Sequence, residues 1–210
     1  YGVAEAPILP GSGGAGRNTS KGGDGGGVVR LAITNRLTHD GIITANGGVG
    51  IGAGAGGSVF ITCHTLAGSS GVVRANGGTL GRNSGGSVGG GGGGGRVAIL
   101  YNPAAQSALP KPVLRVSALH GSADPYYSES LARCGGLGSI YFPDAQIMPS
   151  SFDYPDGGRY LGFDAWAPEA LTVLSSNHTR TGTAGALGSL DNTWVDLSAC
   201  ATVSVAGAVA

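Results

Sequence analysis

Two Asn-X-Ser/Thr sequons, Asn18-Thr19-Ser20 and Asn177-His178-Thr179, are the residues of this chain most directly readable as chemistry. In a secreted protein each would present an exposed asparagine for glycan attachment. Asn102 precedes proline, and Asn192-Thr193-Trp194 lacks the third hydroxyl, so neither qualifies. The loops Pro125-Tyr126-Tyr127 and Phe152-Asp153-Tyr154, with Trp166 and Trp194 beyond them, supply aromatic rings. Such rings can stack on sugars or build a protein interface, where Tyr and Trp are enriched. The interface is the preferred expectation.

Three cysteines are an odd number. Cys63 shares its parity with Val59 and Ile61 and reads as a small core residue. Cys134 and Cys200 are the candidate disulfide pair, and an odd cysteine could link subunits. No Cys/His spacing suggests zinc, so no metal site is expected.

Acid–base cleavage of a polysaccharide needs two carboxylates, or a basic residue beside acidic ones, in one groove. Lys111, Arg115, Asp124, Asp153, Asp156 and Asp164 are scattered, with no spacing that forces convergence. His39, His64, His120 and His178 are isolated. Two GxGxxG matches, at 11–16 and 52–57, neither follow a strand nor open a helix, so no cofactor is expected. The chain is not expected to be an enzyme.

What must position these groups is a repeat. Gly26-Gly27-Val28-Val29-Arg30-Leu31-Ala32-Ile33 and Gly56-Gly57-Ser58-Val59-Phe60-Ile61-Thr62-Cys63 lie 30 residues apart. So do Gly41-Ile42-Ile43-Thr44-Ala45-Asn46-Gly47-Gly48 and Gly71-Val72-Val73-Arg74-Ala75-Asn76-Gly77-Gly78. Each unit holds short runs of period-two alternation, the mark of half-buried strands. One unit cannot bury its apolar face alone, so units must stack. Asn46 and Asn76, at the same repeat position, are expected to cap a turn or to ladder between units. Arg96 to Tyr101 starts a third unit, Leu114 to Ala118 is its returning strand, and Gly138 to Phe142 starts a fourth. Gly85 to Gly95, with its seven consecutive glycines, reads as an expanded loop. Past 149, Ala170 to Leu174 and Thr193 to Val205 are strand candidates.

The expected fold is therefore all-β: a parallel β-helix of about three to four rungs. Residues 1–25 form a glycine-rich arm, 26–148 the repeats, and 149–210 a β module or an exchanged strand. The chain begins at Tyr1 and stops inside the apolar run 199–210, as expected of a processed protein or a piece of a longer one.

Composition narrows the function. Lys plus Arg and Asp plus Glu number 12 each, so no net charge draws the chain to nucleic acid. No run approaches the roughly 18 apolar residues of a membrane span, so no membrane insertion is expected. Charged residues make up only 11%, against about 25% in an average protein. So poor a surface needs covering, by glycans or by other subunits.

The pattern GGSVFIT…LAGSSGVVRANGG…GGGGGGGRVAILY, over residues 26–142, resembles the glycine-rich repeats of large extracellular proteins. These occur in bacterial surface proteins and in long secreted proteins of protists and algae. The resemblance implies a parallel β-helix and a stalk, adhesin or appendage component, with no catalytic residues to carry over. The resulting expectation is a glycosylated extracellular or cell-surface subunit that polymerises with itself, head to tail, through strand edges. A carbohydrate-binding adhesin module is the alternative, and a β-helical lyase or glycosidase ranks third.

Overall fold

A computed structural model describes residues 2–17, 19–81, 89–121, 135–153, 156–174 and 195–205. The chain is mostly strand, and its named strands pair in parallel. The first passage runs through β1 (Val28–Ala32), β2 (Arg36–Thr38) and β3 (Ile42–Thr44). The second repeats it with β4 (Ser58–Thr62), β5 (Thr65–Ala67) and β6 (Gly71–Arg74). Then come β7 (Arg96–Leu100), the short helix α1 (Pro103–Gln106), β8 (Leu114–Ser117) and β9 (Ser139–Tyr141).

After these follow β10 (Ser151–Asp153), β11 (Gly158–Leu161), β12 (Ala165–Trp166), β13 (Thr172–Leu174), β14 (Val195–Asp196) and β15 (Thr202–Val203). One six-stranded sheet collects β1-β4-β7-β9-β11-β14 in chain order. A second holds β3-β6-β8, and the pairs β2-β5, β10-β13 and β12-β15 complete the set.

Register follows the alternation of the sequence. Val29, Val59, Val97, Ile140 and Tyr160 fall in one column across five strands. Ile43, Val73 and Val116 form another, and Leu37 sits on Leu66. From the second passage onward these columns are almost completely buried: Val59, Val73, Val97 and Ile140 are 0% exposed. Burying each such side chain is worth about 1.5–3 kcal/mol. Cys63 joins this core, and burial raises its thiol pKa to about 11.

The last third extends the same sheet, because β11 pairs with β9 and β14 with β11. The strand expected over 193–205 is broken into β14 and β15 by a turn in which the Cys200 N–H donates to the Leu197 carbonyl.

The described parts of the glycine-rich segments are hydrogen-bonded to one another. Six successive N–H groups, from Gly52 to Gly57, point in three directions in rotation. Gly52 and Ala55 donate to Ala15 and Ser12, Ala53 and Gly56 to Gly90 and Gly93, and Gly54 and Gly57 to Gly48 and Ala45. All six bonds span 2.7–3.0 Å. A period of three is that of an extended, polyproline-II-type helix, which has no internal hydrogen bonds and must find partners outside itself. Here the partners are other glycine segments. The chain Gly54→Gly48, Gly78→Gly54, Gly92→Gly78, Gly121→Gly92 continues the lattice through successive passages.

Space, not backbone conformation, selects glycine in this lattice. None of the five glycines with positive φ among the described residues lies in it. A Cβ on Gly14, Gly54 or Gly92 would overlap the backbone carbonyl of Gly52, Asp24 or Gly54 respectively. Residues 89–95 of the expected loop, and 11–17 and 19–25 of the expected arm, thus take part in a hydrogen-bonded layer beside the sheets.

Candidate functional site

The most distinctive chemistry on this chain is the unfinished edge of its first passage. β1, β2 and β3 each stand last in their sheets, with no strand among the described residues beyond them. The Gly27 carbonyl accepts from Ser58 and the Ile33 N–H donates to Thr62, so the odd-numbered backbone groups of β1 face β4. By strand alternation, the N–H groups of Val28, Arg30 and Ala32 point the other way. The inward residues Val29, Leu31, Ile33, Leu37 and Ile43 are only partly buried, whereas their partners Val59, Ile61 and Val73 are sealed. Ile42, at 70% exposed, adds an apolar side chain to this end. Proteins usually blunt such edges with charge, proline or a cover; Arg30 and Arg36 are the only charges on these three strands.

Polar side chains lock the passages to one another. The Asn46 Oδ1 accepts from the Asn76 N–H at 2.8 Å, and the Asn76 Oδ1 from the Leu119 N–H at 2.9 Å and the Ser117 hydroxyl at 2.5 Å. The expected ladder is therefore present, and it ties the glycine layer to the third passage. Asn76→Ala is expected to lower unfolding free energy by about 1–2 kcal/mol, because one acceptor serves two donors. Urea denaturation checks this, and a loss within error would mean water replaces the amide at no cost.

Asp40 performs a similar task at a turn. Its Oδ1 accepts from the N–H groups of Ser69 and Ser70 and from the Ser69 hydroxyl. These bonds, the Ser69 N–H above all, hold its carboxyl below the ordinary pKa. Gln106, buried on α1, gives its amide to the backbone of Leu66: the Leu66 N–H donates to Oε1 at 2.8 Å and Nε2 donates to the Leu66 carbonyl at 3.1 Å.

The structure brings together few of the residues weighed for catalysis. Asp156 is buried against Arg115, with Arg74 at 3.9 Å. Lys111 lies elsewhere, in a hollow of about 150 Å³ shared with Gln106 and Gln146, and no carboxylate lines it. Burial lowers the Lys111 pKa. Asp164 is exposed, and it is the Asp164 main-chain carbonyl that accepts from Thr202. The His39 Nε2 rests 3.1 Å from the Val72 carbonyl. Among the described residues no three His, Cys, Asp or Glu gather to hold a metal, and no helix is long and apolar enough to cross a membrane.

The aromatic expectation needs correction at two positions. Phe152 is 0% and Trp166 5% exposed, so neither offers a ring to a partner or a sugar. They pack edge-on to one another at 6.3 Å between centroids, and Phe152 packs on Tyr160 at 5.7 Å. Large rings close this end of the core where the strands are only two to four residues long. Tyr126, Tyr127, Tyr154 and Trp194 lie outside the described residues, as do both sequon asparagines, Asn18 and Asn177. Cys200 carries a free thiol, its Sγ 3.1 Å from the Thr202 carbonyl, and Cys134 is again outside the described residues.

Comparison with known proteins gives no relative to lean on: no family model, curated protein or solved structure matches the chain. The first-passage edge and the glycine lattice are what any reading of function has to rest on.

Proposed function

We propose that the chain winds as a parallel β-helix and serves as a structural subunit of an extracellular filament or surface appendage. One observation carries this reading: three strand edges at one end have no partner strand among the described residues, while the core columns beneath them are half-exposed. Adding a strand to each edge would satisfy the outward N–H groups and bury Val29, Leu31, Ile33, Leu37 and Ile43 together. A contact between unlike ends makes a ring if its rotation closes and a fibre if it does not, and strands added along one sheet axis give the fibre. The low charge content favours the same outcome, since a surface with 11% charged residues is poorly protected against association. An extracellular location, attached glycans at Asn18 and Asn177, and a non-enzymatic role belong to the same proposal.

Electron microscopy of the purified chain tests it. Filaments are expected from the parent and none from Arg30→Pro, since proline at that position removes an outward N–H and leaves the bonds to β4 intact. Circular dichroism of Arg30→Pro should match the parent. Parent protein that stays monomeric at all concentrations, or Arg30→Pro that polymerises normally, would sink the proposal.

A further inference from the structure

Among the described residues the opposite end also shows open strand edges. β14 stands last in the six-stranded sheet that β1 begins, and β15 and β13 stand last in their pairs. Around them Leu171, Val195, Leu197 and Cys200 are partly buried against the core, as Val29, Leu31 and Ile43 are at the first end. Among the described residues, then, the apolar columns run from one open strand edge to another, with parallel strands at each. Charge differs between the two cuts: Arg30 and Arg36 sit on the first-passage strands, with Asp40 at the turn between β2 and β3, whereas Asp164, Glu169 and Asp196 lie among β12–β15. Of these acids, Asp196 is held by Arg159 at 2.7 Å.

Resting on the filament reading above, we infer that the occupant of the β1 edge is the β14 edge of a second copy of this chain, in one defined register. The register is fixed by the column that crosses the whole sheet. Val28, Ser58, Arg96, Ser139, Arg159 and Asp196 follow one another in it. Continuing that column places Asp196 of one copy beside Val28 of the next, and Ser198 beside Arg30. The inward column then runs from Tyr160 through Leu197 into Val29 of the neighbour without a break. The end richer in carboxylates then meets the two arginines, whereas pairing first end to first end sets arginines against their own copies. Since the sheet has six strands spaced about 4.8 Å apart, the subunit repeat along the fibre is about 29 Å.

The test uses the full chain with Cys134 and Cys200 changed to Ser, carrying Val28→Cys and Asp196→Cys. Adjacent parallel strands bring these positions within disulfide reach, about 4.4–6.8 Å between Cα atoms. Mild oxidation should give a ladder of multimers that collapses on reduction. A control with Val28→Cys and Ser198→Cys, two residues out of register, should give at least about tenfold less. Fibre diffraction of the unsubstituted chain gives a second reading, with a meridional 4.8 Å spacing and a repeat near 29 Å expected. Filaments that lack both the in-register ladder and that repeat would overturn the register while leaving the filament reading in place. Absence of filaments from the unsubstituted chain would overturn both.

Discussion

Gly54→Ala is expected to destabilise the chain by about 3–5 kcal/mol, at the severe end of single substitutions. The methyl group would occupy the space of the Asp24 carbonyl and press on Gly25. Making room means spreading the glycine lattice, and each spread segment leaves buried N–H and carbonyl groups unpaired at about 1–3 kcal/mol apiece. The Gly54 N–H donates to Gly48, and its carbonyl accepts from Gly78, so both bonds lie directly in the path of the shift. Gly136→Ala is the matched comparison. No described residue lies within 4 Å of its added Cβ, and its φ is not positive. There the substitution should be neutral or stabilise by about 0.5 kcal/mol, because it only restricts the unfolded chain. Guanidinium denaturation of both variants decides the matter. Equal losses would mean that glycine is present for flexibility and not for space.

Gln106→Leu is expected to cost about 2–4 kcal/mol, although leucine fits a buried site better by hydropathy. Among the described residues the sheet β2-β5 has two strands, and none lies on the far side of β5. The Gln106 amide stands in for that missing strand by pairing with both polar groups of Leu66, itself 2% exposed. Leucine would leave an N–H and a carbonyl buried without partners. The positioning of Gln106 is local: Asn102 caps α1 by accepting from the Ala105 N–H at 3.1 Å, and Pro103 sets the first turn. Asn102→Ala should therefore weaken the same contact by a smaller amount, about 1 kcal/mol. Thermal denaturation of both variants checks the order, and Gln106→Leu at parent stability would show that water satisfies Leu66.

The strands were legible because alternation is a local property. Val29, Leu31 and Val59, Ile61 declare their inward face within five residues, and the shared spacing of 30 declares which strands pair. Ser139 was readable as the counterpart of Ser58 for the same reason, and both lie in one column. The glycine layer was not legible. Glycine has no side chain to carry a period, so a fully bonded segment and a loose loop look alike in sequence. A usable signal exists in residues 52–57, where only Gly and Ala occur across six positions, since a flexible loop would tolerate larger polar residues.

The aromatic residues divided in the same way. Phe152 and Trp166 sit in strands of three and two residues, too short for alternation to reveal a face. Their burial depends on rings contributed by Tyr160 and by each other. Gln106 was silent altogether, because the backbone it serves is 40 positions away.

Sequence alone determined which side chains of each strand face inward and the register in which the repeats pair, because both follow from a period of two and a fixed spacing. Only the tertiary structure decided which glycines are obligatory, which polar side chain replaces a strand, and which strand edges stay open among the described residues. Those outcomes depend on distances between segments far apart in the chain, and no local pattern encodes a distance. The unpaired first edge and the half-exposed columns behind it became visible only when the passages were assembled.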